Sequence, residues 1–129
     1  MHYKELEKLA LGSGFAHAVP LDTTTISLKQ EVRDMCKNGC QQYARRWSCP
    51  PGCGSLNELR ERICHYKKGI LVQTVTELED EFDWDGMMKA QNRHQEHFHL
   101  FLEKLCAFNP EFLPLGTGCC MICKTCSYP

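Results

Sequence analysis

The sequence predicts an α/β fold, with α+β compatible with the same elements: a small sheet covered by helices, with cysteine-rich loops attached. Three observations predict it. Apolar residues recur at helical spacing in several stretches, Ile70 to Val75 is short, apolar and β-branched, and helical and extended segments alternate along the chain. The 129 residues suit one domain, residues 1–129, with a modest single core.

The elements follow in order. Tyr3 to Leu11 is expected as an amphipathic helix, with Leu6 and Leu9 on one face and Gly12 as its stop. Phe15 to Val19 and Thr23 to Ile26 suit extended structure around Pro20. Ser27 followed by Gln30 is a capping-box pattern, which predicts a helix over Leu28 to Met35, broken by Gly39. Ser55 and Glu58 repeat the device for a helix from Leu56 to Tyr66, whose Leu56, Leu59 and Ile63 share a stripe.

Ile70 to Val75 reads as a buried strand, and the acidic run Glu77 to Asp85 as a solvated turn. The longest helix is expected from Gly86 to Cys106, with Met87, His94, Phe98, Phe101, Leu102 and Leu105 on one face. Phe112 to Leu115 suits a final strand.

Bulk properties exclude several functions. A formal net charge of −1 leaves no electrostatic footprint for nucleic acid or an anionic membrane surface. No apolar run reaches the ~20 residues that span a bilayer. The opening MHYKELEKLALGSG lacks the apolar centre of a secretory signal, so a cytoplasmic location is expected. There the ten cysteines stay reduced, and clustered reduced cysteines point to metal ligation rather than disulfides.

The first group is Cys36, Cys40, Cys49 and Cys53, in CKNGCQQYARRWSCPPGC. Thiolates this close repel unless a cation gathers them. Gly39 lets the chain turn, Pro50 and Pro51 stiffen it, and Gly52 and Gly54 let amides approach sulfur. Arg45 and Arg46 could offset thiolate charge or stand as solvated surface arginines.

The second group is Cys119, Cys120, Cys123 and Cys126, in GTGCCMICKTCSYP. From Cys120 it reads C-x-x-C-x-x-C, the opening of a bacterial ferredoxin run without its cysteine-proline end. A fourth ligand must then come from the first group, from Cys119 or from beyond the chain end. Cys119 is the weaker of two adjacent candidates.

Two groups in one short chain predict a cysteine-ligated metal. The triplet favours an iron–sulfur cluster, of the 4Fe-4S kind, over zinc, although the first group alone would make an acceptable four-cysteine zinc site. The expected ligands are Cys36, Cys40, Cys49, Cys120, Cys123 and Cys126, with Cys53 and Cys119 in reserve. Cys64 and Cys106 are expected to pack at the edges of apolar stripes.

Other patterns carry blander readings. His97 and His99 diverge on a helix and His94 points into the apolar stripe, so packing and surface roles outweigh a histidine metal box. The acidic run lacks the glycine-bearing loop of a calcium site.

The strings CKNGCQQYARRWSCPPGCGSL and GCCMICKTCSYP resemble a prokaryotic family, domain of unknown function 2284, described as predicted metal-binding proteins. Cys36, Cys40, Tyr43, Trp47, Cys49, Pro50, Pro51, Cys120, Cys123, Cys126 and Pro129 occupy its motif positions, and the resemblance spans Val32 to Pro129. Cys53 and Cys119 lie outside the family's usual cysteines. Members tend to continue past the tyrosine-proline with another cysteine, which implies that this chain is a short member or lacks a C-terminal extension. The resemblance implies metal binding and no particular reaction.

The expected function is therefore a metal-binding protein serving electron transfer or a partner enzyme, with a redox protein as partner. The alternatives are a structural zinc module for protein interaction and a thiol oxidoreductase using the C-terminal C-x-x-C pairs. No nucleotide loop, acid–base pair or nucleophile–base arrangement marks an enzyme.

Overall fold

Helix α1 spans Tyr3–Leu11, the range its apolar spacing predicts. Its start is fixed by a reciprocal cap: the His2 ring accepts from the Lys4 amide at 3.3 Å, and Glu5 accepts from the His2 amide at 3.1 Å. Its end is held from outside, since Lys104 Nζ donates to the Gly12 carbonyl at 3.1 Å and Ser13 Oγ to the Leu9 carbonyl at 2.8 Å. The computed structural model describes residues 2–108 and 111–129, which divide into two compact units.

The first unit comprises Met1–Leu21 and Lys68–Pro114. It contains α1, strand β1 (His17–Asp22, up to the unit boundary), strand β2 (Lys68–Gln73) and a long helix, α4 (Trp84–Phe108). The strands pair antiparallel, and the Ala16 amide donates to the Gln73 carbonyl at 2.8 Å just outside the ladder. This small sheet with its helices is the α/β arrangement that the element order predicts.

The core of this unit is Ala10, Phe15, Phe101 and Leu105, flanked by Leu6, Leu9, Ala18, Ile70, Val72, Phe98, Leu102 and Phe112. Phe15 sits at its centre, edge-on to His94, His97 and Phe101. The α4 stripe is thus real from His94 to Leu105, while Met87 at its other end is exposed. The two histidines serve packing. His94 Nδ1 and Thr74 Oγ1 share a hydrogen bond of 2.7 Å, and burial holds the His94 pKa below its usual value, favouring the neutral ring.

The acidic run is the solvated turn that its composition predicts, and it does local work. Asp83 accepts from the amides of Gly86 (2.9 Å) and Glu79 (3.1 Å), capping the start of α4. Those two bonds hold its carboxyl below the ordinary carboxylate range.

The second unit comprises Asp22–Lys67 and Leu115–Pro129. It holds α2 (Gln30–Gly39), α3 (Leu56–Cys64), a single 3₁₀ turn (Thr23–Thr25) and otherwise turns. Ser55 caps α3 as expected, accepting from the Glu58 amide at 3.2 Å.

Several expectations need correction. Thr23–Thr25 is not extended, although Ile26 is: Asp22 accepts from both the amide and the hydroxyl of Thr24, which winds the chain into the 3₁₀ turn. The second helix starts at Gln30 rather than Leu28 and reaches Gly39, because the Gln30 side chain bonds Asp34 along the helix at 3.0 Å instead of closing a box on Ser27.

The third helix ends at Cys64 rather than Tyr66, and α4 extends two residues beyond each expected end. Strand β2 is not fully buried, because a two-stranded sheet leaves one face uncovered; Leu71 is 50% exposed. Phe112 to Leu115 forms no strand, although Phe112 packs on the core. Cys64 and Cys106 are exposed, not packed: Cys64 ends a helix in a unit without a core, and Cys106 is turned away from buried Leu105 by the helical step.

Candidate metal centre

Nine of the ten cysteines lie in the second unit. That unit contains no fully buried side chain, whereas all buried residues of the protein's described part belong to the first. Its shape is held by hydrogen bonds between turns.

The cysteine loop begins where α2 ends. Cys36 lies in its last turn, and the Cys40 amide donates to the Cys36 carbonyl at 3.2 Å. From there to Gly54 the chain is a succession of turns. The Ala44 amide donates to the Pro50 carbonyl at 2.8 Å, and Ala44 takes a left-handed backbone (φ 58°) to make that return. The Cys49 amide bonds the Arg46 carbonyl (3.2 Å) and the Cys53 amide bonds the Cys49 carbonyl (3.1 Å). Arg33 Nη1 closes the loop, donating to the Gly54 carbonyl at 2.7 Å.

The C-terminal segment lies on this loop. Arg46 Nη1 donates to the Cys120 carbonyl at 2.9 Å while its Nε donates to Gln42 Oε1 at 2.9 Å. Ser48 Oγ accepts from the Cys120 amide at 3.0 Å. Trp47 Nε1 donates to Ser127 Oγ at 3.0 Å, and its ring stands edge-on to Tyr128 at 4.9 Å. Gly52 gives Tyr128 room: a Cβ there would meet Tyr128 Cε2 at 2.7 Å.

Two cysteines feel this convergence most. Partial burial raises the Cys49 pKa, the Ser48 hydroxyl opposes that rise, and the neighbouring sulfurs of Cys119, Cys40 and Cys53 add to it. Cys126 is shifted the other way, first by the Tyr128 amide, then by the Trp47 amide, with the Arg46 charge adding to them. Of the two cationic candidates in the loop, Arg46 is therefore the one whose charge reaches Cys126.

Cys40, Cys53 and Cys119 thus each act on Cys49, while Cys120 is held by its backbone on both sides. The sequence had discounted Cys119 for its adjacency to Cys120, yet Cys119 is the tail sulfur that acts on Cys49. Cys36 and Cys123 are not among the sulfurs acting on Cys49. No three His, Cys, Asp or Glu side chains among the described residues stand in ligating positions, so coordination would draw the thiols inward from where they lie.

The donor set fits a thiolate-ligated metal. It offers soft sulfur, amides directed at a cysteine sulfur, and one guanidinium among them. Spacing gave no warning of Trp47, Ser48 and Tyr128 as docking residues. The paired aromatic motifs W-S-C and S-Y-P were the available signal.

A unit of two short helices and turns, without a core, that carries both cysteine groups has the character of a metal-binding module. A family model for predicted metal-binding proteins, DUF2284, matches residues 19–129, and the chain belongs to that family. That match begins before the span of the motif resemblance and takes in strand β1 from Val19. Neither curated proteins nor solved structures gave a match. No helix among the described residues is long and apolar enough to cross a membrane.

Proposed function

We propose that the second unit holds an iron–sulfur cluster of the 4Fe-4S kind and that the protein carries electrons to, or supports, a partner enzyme in the cytoplasm. The observation that carries this reading is the concentration of cysteines in a unit with no buried side chain. Such a unit has little hydrophobic stabilisation, and metal ligation is the usual substitute in small cysteine-rich modules.

Ligands would be drawn from Cys36, Cys40, Cys49, Cys120, Cys123 and Cys126, with Cys53 and Cys119 available. The neighbourhood of Cys49 favours Cys119 over its sequence-based rank. A cluster of this kind supplies one-electron transfer at a potential set by nearby charge and hydrogen bonds. The chain's own part is to direct the Trp47 and Tyr128 amides at Cys126, to place the Arg46 charge beside it, and to keep the tail on the loop.

Anaerobic purification followed by iron, zinc and acid-labile sulfide quantitation tests the proposal. Iron with matching sulfide and a brown colour is expected. Stoichiometric zinc in colourless protein would make the unit a structural zinc module. Stably folded protein free of both metals, with a titratable dithiol, would make it a thiol oxidoreductase.

A further inference from the structure

The contacts between loop and tail are unusual in their division of labour. They come from three consecutive residues, Arg46, Trp47 and Ser48, whose side chains bond the Cys120 backbone and Ser127, while the Trp47 amide is directed at the Cys126 sulfur. Arg46 and Ser48 grip the two peptide groups that flank one residue, through the carbonyl and the amide of Cys120. Trp47 holds the far end of the segment, through Ser127 and Tyr128. The cysteine triplet is therefore pinned at its first member, Cys120, and just after its last, and the residues between, Met121 to Thr125, are exposed.

We propose that Arg46, Trp47 and Ser48 form a docking strip that seats the C-terminal cysteines on the first loop without help from metal, with Arg46 as the positioning residue. This rests on the reading of the second unit as a metal centre, but the docking itself does not require a metal. Two sulfur groups separated by about seventy residues of chain would otherwise have to be brought together by the ion alone, at the cost of closing a long loop. The side-chain bonds to the Cys120 backbone and to Ser127 occupy no thiolate, and amide N–H groups directed at a sulfur, as at Cys126, are compatible with its ligating a metal.

Arg46 acts through geometry as well as charge. Its guanidinium spans Gln42 Oε1 and the Cys120 carbonyl with two separate N–H groups, a fork that lysine lacks. Lysine in its place would keep the charge and lose the registration.

The test uses the full chain carrying Trp84→Phe, which leaves Trp47 as its one tryptophan. In reduced, metal-free protein, the Trp47 indole N–H and the Cys120 amide are expected to exchange with solvent several-fold more slowly than in Ser127→Ala and Ser48→Ala respectively. Gly52→Ala, which crowds Tyr128, should speed both. Exchange in the parent already as fast as in these variants would overturn the proposal, whatever metal the protein binds.

Anaerobic titration with Co2+, followed by its thiolate charge-transfer absorption, provides the second arm. Arg46→Gln and Arg46→Lys should each weaken binding about ten-fold or more, the usual effect of losing an outer-shell partner. Full rescue by Arg46→Lys would show charge alone at work and overturn the positioning role. A parent that fails to bind Co2+ counts against the metal centre, and the exchange arm still decides the docking strip.

Discussion

Trp47 and Ser127 lie 80 positions apart in the chain, yet the indole N–H of one donates to the hydroxyl of the other at 3.0 Å. The bond joins the two cysteine groups at a point where neither has a cysteine involved. It lies in the unit without buried side chains, so polar contacts such as this one, rather than apolar burial, hold the tail. The stability of this region should therefore respond to metal in a way that the rest of the protein does not.

Metal removal gives the most direct contrast. Hydrogen exchange followed by mass spectrometry, with and without bound metal, should show faster exchange across Asp22–Lys67 and Leu115–Pro129 on removal. At metal concentrations a hundred times the Kd, linkage gives about 2.7 kcal/mol, or roughly a hundred-fold slowing of exchange. Peptides from the first unit, with its own core, should change little.

Single cysteine replacements should separate ligands from bystanders. Cys49→Ser is expected to weaken metal binding by more than the ~10–100-fold typical of losing an outer-shell partner. Cys64→Ser and Cys106→Ser, both exposed and outside the two groups, should leave affinity unchanged. Equal affinities for all three variants in a competition titration would remove Cys49 from the centre.

Gly14→Ala should damage the first unit and spare the second. Gly14 has a left-handed backbone, φ 112°, and an added Cβ would lie 2.5 Å from His97 Cδ2. Backbone strain and overpacking together suggest a loss of about 2–4 kcal/mol. Urea unfolding followed by circular dichroism gives the stability, and metal content should hold at parent level under native conditions.

Acid should weaken the first unit through His94. Its folded-state pKa is held below the ordinary 6.5, mainly by burial and secondarily by His97. The unfolded chain therefore takes up the proton first. Stability from this group is full above about pH 6.5 and declines as pH falls through and below that value toward the folded pKa. Midpoints of urea unfolding at pH 7.5 and 5.5 should differ less in His94→Gln than in the parent. The lowered carboxyls of Asp22 and Asp83 also favour the folded state at neutral pH, but lose their effect only at more acidic pH.

Local signals in the sequence carried far. The bounds of α1, the cap of α3 by Ser55, the solvated acidic turn and the packing role of His94 each follow from residues within a turn or two of one another. The division of cysteines into two groups, and the family to which they point, were equally legible, because ligand spacing is written along the chain. Pattern misled where a side chain had a competing local partner, as with Gln30 and Asp34, or where a strand lacked neighbours to bury it, as with β2.

By itself, then, the sequence determined the α/β class, the helices and the choice of cysteine as donor, since periodicity, capping and thiol chemistry act over short range. Only the tertiary structure decided that Cys119, Cys40 and Cys53 come near enough to act on the Cys49 thiol, that the Arg46 charge lies beside Cys126, and that the cysteine-bearing unit has no core. Those outcomes depend on contacts between segments more than seventy residues apart, such as Arg46 with Cys120 and Trp47 with Ser127, which no local pattern encodes.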